Sequence, residues 1–112
     1  METKSLLESQ ALGAGLSSVK GDKVALPNSV DQIIFQCVVS AFTAGSLTAI
    51  VEHSLDGTNW CTAISFTAAK AATGIEFKFP TTSVGQFVRS SVITAALTDL
   101  TAEIKVGYRS RK

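Results

Sequence analysis

Apolar and polar residues alternate along most of this chain with the two-residue period of a β-strand. From Ile33 to Phe42 one parity holds Ile33, Phe35, Cys37, Val39 and Ala41, while the other is half apolar, as in a central strand covered on both sides. Leu47, Ala49 and Val51 alternate with Thr48, Ile50 and Glu52, and Thr62, Ile64 and Phe66 with Cys61, Ala63 and Ser65. Ile75, Phe77 and Phe79 against Glu76 and Lys78 is the sharpest alternation in the chain. Phe87 to Thr94 places Val88, Ser90 and Val92 opposite Phe87, Arg89, Ser91 and Ile93, and Leu100, Ala102, Ile104, Val106 and Tyr108 share one face of a last strand. Lys23 to Leu26 adds a short strand stopped by Pro27-Asn28.

The runs ending at Leu55 and starting at Cys61 flank Asp56-Gly57, a dipeptide that tolerates the positive φ of a tight reversal. This predicts a hairpin with Asp56, Gly57, Asn59 and Trp60 as its turn residues and the Trp60 ring plugging the core at its base. Thr67 to Thr73 is too short for an isolated helix and reads as a loop. The sum is an all-β chain: a single-domain antiparallel β-sandwich, jelly-roll-like, of six to eight strands. The first 21 residues fit this pattern least, because Gly13 and Gly15 interrupt the leucines. They predict an extended N-terminal arm over 1–21 with one short strand, a sandwich domain over 22–109 and a short basic tail over 110–112. Leu6, Leu7 and Leu12, exposed on such an arm, would contact a neighbouring subunit.

Size and charge narrow the function. A chain of 112 residues buries roughly 65% of its unfolded surface, enough for a core without staples. A formal net charge of +1 lacks the basic excess of a nucleic-acid binder, and Arg109, Arg111 and Lys112 read as a solvated tail. No apolar run approaches the roughly 20 residues of a membrane-spanning helix. Met1 to Glu8 carries two glutamates and a lysine where a signal peptide needs an apolar stretch. The expectation is a chain made in the cytoplasm, binding neither membrane nor nucleic acid. Cys37 and Cys61 read as small buried hydrophobes without a bridge.

Candidate chemistry is sparse. His53 is the single histidine, and in a strand Glu52 beside it points to the opposite face, which is too little for a zinc site of three or four ligands. There is no phosphate loop, no nucleophile elbow and no useful carboxylate pair. The sequence therefore predicts no catalytic residue, no metal and no cofactor. Asp56 suits an Asx turn capping loop amides, with Asn59 doing the same from the other side. Arg89 suits a cross-strand pair with Glu76 or Glu103, or a place over an aromatic ring. Trp60 could alternatively serve as a sugar platform, but Tyr108, the single tyrosine, is far along the chain.

Ser54-Leu55-Asp56-Gly57-Thr58-Asn59-Trp60, preceded by Thr48-Ala49-Ile50-Val51-Glu52, resembles a hairpin of small β-sandwich virion proteins of tailed bacteriophages. Phe87-Val88-Arg89 and the closing Thr101-Ala102-Glu103-Ile104-Lys105-Val106 fit the later strands of those proteins. The resemblance spans about two thirds of the chain, from Asp31 to Tyr108. It implies a non-enzymatic virion component, first a capsid decoration or accessory protein, with a tail or neck component close behind. Its partners would be the major capsid protein or other virion proteins, as a homo-oligomer located in the virion. Similar hairpins occur in carbohydrate-binding sandwiches, so a module for host-surface attachment is the alternative.

Overall fold

The computed structural model describes residues 2–12, 18–27, 30–66, 73–80, 84–94 and 99–110. It contains nine strands: β1 (Glu2–Leu12), β2 (Ser18–Lys20), β3 (Val24–Ala25), β4 (Val30–Ala44), β5 (Leu47–Ser54), β6 (Cys61–Ser65), β7 (Gly74–Lys78), β8 (Phe87–Thr94) and β9 (Asp99–Ser110). All described pairs are antiparallel. The first sheet runs β1-β9-β4-β7 and the second β2-β8-β5-β6, with β3 also on β8. Because β2 and β3 lie in succession along the same neighbour, they act as one interrupted edge strand, giving four strands per sheet.

The pairing is nested. First strand meets last (β1·β9), second meets second-last (β2 and β3 on β8), then β4 meets β7 and β5 meets β6. A long ribbon paired in this way and wrapped over itself is a jelly roll. The β-sandwich read from the alternation is therefore the fold observed. Its core holds Phe35, Cys37 and Val39 of β4, Leu47, Ala49 and Val51 of β5, Val88 and Val92 of β8, and Leu100 through Tyr108 of β9 at alternate positions.

The N-terminus departs from expectation. Residues 2–12 are an edge strand of the first sheet rather than a free arm, and Leu6 and Leu7 lie in the core at 3% exposure each. Two adjacent side chains can both face inward because the register slips between Ser5↔Lys105 and Leu7↔Ile104, making Leu6 the extra residue of a β-bulge. Its carbonyl turns to the other sheet and accepts a hydrogen bond from Ser90 Oγ at 2.9 Å. Gly21 makes this crossing possible, since a Cβ there would come within 2.0 Å of the Leu6 oxygen. Leu6 and Leu7 are thus unavailable as subunit contacts. Leu12 pairs through its backbone with Leu100, and its side chain lies outside the described residues, as do residues 67–72 of the loop expected over Thr67 to Thr73 and the end of the tail, Arg111 and Lys112.

β7 also differs from an ordinary amphipathic strand. Its core-side partners on β4, Phe35 and Cys37, face Lys78 and Glu76, whereas Phe77 and Ile75 lie beside Gln36 and Val38 on the outer side. Ile75, Phe77 and Phe79 are accordingly 64%, 55% and 67% exposed. Period-two alternation has no sign, and here it is the apolar face that turns to solvent.

Candidate functional site

The hairpin β5–β6 is held by its own sequence. Gly57 has φ 78°, in the left-handed region that favours glycine. Ser54, buried at the end of β5, accepts from the Asp56 and Gly57 amides at 3.2 and 2.9 Å and donates its hydroxyl to Asp56 Oδ1 at 2.9 Å. That same oxygen accepts from the Thr58 and Asn59 amides at 2.8 and 2.9 Å, and Asn59 Nδ2 donates to Oδ2 at 2.8 Å. The Asn59 and Thr58 amides, followed by the Asn59 and Ser54 side chains, hold the Asp56 carboxyl far below its ordinary value of 3.8. The result is a rigid loop with Leu55, 82% exposed, at its tip.

Beside the loop, the outer face of the second sheet carries a charged cluster drawn from four strands or their ends. Glu52 of β5 lies opposite Arg89 of β8, and Arg89 Nε donates to Glu52 Oε1 at 2.8 Å. Lys20 of β2 approaches the same oxygen at 3.5 Å and donates to Ser91 Oγ at 3.3 Å. Burial raises the Glu52 carboxyl, but the Arg89 hydrogen bond and the charges of Lys20 and Arg89 outweigh it, so the group sits below its ordinary 4.5. The Arg89 guanidinium also lies 4.2 Å from the Trp60 ring centroid, a cation–π contact. Below it, Lys23 lies 5.4 Å from the Phe87 ring.

Several sequence expectations change here. Trp60 is half-buried on the outer face beneath Arg89, not a core plug. A ring whose face is covered by a neighbouring cation satisfies its apolar surface without entering the core. Arg89 takes Glu52 rather than Glu76 or Glu103, which belong to the other sheet. Cys37 is buried but Cys61 is exposed, lying opposite His53 at the loop end of the β5–β6 ladder. His53 Nδ1 accepts the Gly85 amide at 2.9 Å. Gly85 passes so close to β5 that a Cβ would meet the Ser54 oxygen at 2.6 Å. Among the described residues, no three His, Cys, Asp or Glu side chains gather as a metal site would require.

Nothing in the sequence singles out Lys20, and the alternation that includes Glu52 does not mark it as the partner of Arg89. Alternation did place Glu52 and Arg89 on outer faces, but the partner of each lies more than 30 residues away, so local pattern could not join them. The assembled surface is a hydrogen-bonded loop with an apolar tip beside a cluster in which one carboxylate, Glu52, is shared by two cations, Lys20 and Arg89.

The fold has relatives of low sequence identity. No protein-family model matches the chain, and no curated protein sequence matches it. Among solved structures, the PBSX exported protein XepA superposes at a TM-score of 0.70 with 12% identity, covering 99% of this chain and 38% of that one. A chain in the structure of infectious bursal disease virus, Gx strain, gives 0.59 with 12% identity, covering 94% of this chain and 30% of that one. A chitosan-binding module of a Paenibacillus sp. IK-5 chitosanase/glucanase gives 0.53 with 17% identity, over 90% and 75% of the two chains. The chain thus spans well under half the length of XepA. At these identities the likeness establishes a shared sandwich fold.

Proposed function

We propose that this chain is a non-enzymatic structural protein of a bacteriophage virion, a capsid decoration or accessory subunit in the first place and a tail or neck component next. The observation that carries the proposal is where the polar and apolar groups go. Outside the core, the ionisable groups of the candidate site are engaged in holding a loop and a sheet face, while large apolar side chains stand exposed at the hairpin tip and on an edge strand. Such a surface binds proteins. The hairpin's resemblance to virion sandwiches supports the assignment, and so does the sharing of the fold with XepA and with a chain of a virus structure. The test is mass spectrometry of particles purified from the phage or induced prophage encoding the chain. Its peptides are expected at a stoichiometry comparable to known structural subunits. Their absence from particles, with the protein abundant in the soluble lysate, would refute the proposal.

A carbohydrate-binding role is the second reading, favoured by the likeness to chitosan-binding modules and by a tryptophan on an outer face. Arg89 over one face of the Trp60 ring weighs against it, since at most the other face is left for a sugar to stack on. Titration with chitosan oligosaccharides and a wider glycan panel distinguishes the two. Trp60 emission is expected to stay unchanged, and a saturable shift would favour sugar binding.

A further inference from the structure

The outer face of β7 presents Ile75, Phe77 and Phe79 to solvent, and among the described residues no strand pairs with its other edge. An apolar strand left open at a sheet edge is a template for another strand. The geometry points to a second copy of this chain as the occupant, joined β7 to β7 across a two-fold axis at Phe77. The sequence Ile75-Glu76-Phe77-Lys78-Phe79 is self-complementary about its centre. In antiparallel self-pairing at that register, Phe77 meets Phe77 of the partner subunit, Ile75 meets the partner's Phe79, and Glu76 meets the partner's Lys78. All six apolar side chains then share one face, and both cross-strand charge pairs are of opposite sign.

Neighbouring registers fail on electrostatic or facial grounds. A slip by one residue turns the partner's apolar set to the opposite side. Slips by two place Glu76 against itself or Lys78 against itself, and like charges directly opposite are destabilising. A lone lysine on an edge ordinarily guards against pairing. Here Glu76, two residues earlier, converts that guard into a selector for one register. Pro80, directly after Phe79, lacks an N–H and limits extension of the ladder. A contact of this kind is isologous and closes at two copies, joining two four-stranded sheets into one of eight. It does not depend on the virion assignment.

Sedimentation velocity from micromolar to millimolar concentration tests it. The mass is expected to rise from 11.7 kDa towards twice that value. Lys78→Glu should weaken self-association by about tenfold or more, since it sets like charges opposite each other at both symmetric positions. The exchanged pair Glu76→Lys with Lys78→Glu should restore it. Hydrogen exchange of the wild-type chain supplies a readout independent of any variant, with the amides of 75–79 slowing as concentration rises. A monomer throughout, a dimer indifferent to Lys78→Glu, failure of the folded exchanged variant to associate, or exchange at 75–79 independent of concentration would overturn the proposal.

Discussion

At the scale of single residues, the described acids of the candidate site act as structural anions, and pH should reveal them. Glu52 is held below 4.5 and Asp56 far below 3.8 in the folded chain. A carboxylate lowered on folding contributes stability that is complete above its unfolded pKa and lost as pH falls through its folded one. Glu52 should therefore begin to lose its contribution below about pH 4.5, and Asp56 only at more acid values. Urea unfolding followed against pH checks this. In Glu52→Gln the loss below pH 4.5 should be shallower, and an acid limb unchanged from wild type would count against the Arg89–Glu52–Lys20 account. Arg89 is tested separately by Arg89→Ala, which leaves Glu52 with only the longer Lys20 contact. A loss of about 1–3 kcal/mol is expected. Trp60, uncovered, should emit further to the red; an unchanged emission maximum would contradict the stacking.

At the scale of elements, the strands of the sandwich were legible in the sequence and their environments less so. Alternation located β4 to β9 to within a few residues, since each strand carries its period locally. β1 escaped because Leu6 and Leu7 are both buried, and adjacent inward residues break the very alternation that marks a strand. The bulge that permits them depends on Ser90 and Gly21, which no inspection of the first 12 residues could supply. Two predictions follow from this corner. Leu7→Ala should cost about 2–5 kcal/mol as a buried large-to-small change, whereas leucines on a free arm would cost almost nothing. Ser90→Ala should cost about 1–3 kcal/mol by leaving the Leu6 carbonyl without its donor. Equilibrium denaturation measures both, and near-neutral values would restore the picture of a detached arm. For the candidate site, Asp56 and its hydrogen-bonding partners from Ser54 to Asn59 lie within six residues of one another and could be read from spacing. The Lys20–Glu52–Arg89–Trp60 cluster spans three paired strands and the end of the hairpin loop, so its members came together only in the fold.

At the scale of the whole molecule, a jelly roll with nested pairing brings first and last strands side by side, so cohesion depends on contacts remote in sequence. Such a body is well suited to presenting surfaces. The hairpin tip projects Leu55 from one end of β5, while β7 leaves an apolar strip at the margin of the other sheet. The virion assignment makes these surfaces the places where neighbouring subunits sit. Electron cryomicroscopy of particles purified with and without the gene for this chain tests that assignment most directly. The account predicts density for a small sandwich at symmetry-related positions on the capsid, tail or neck, present only when the gene is intact. Identical particles from both preparations, at a resolution that would show a subunit of 11.7 kDa, would contradict it.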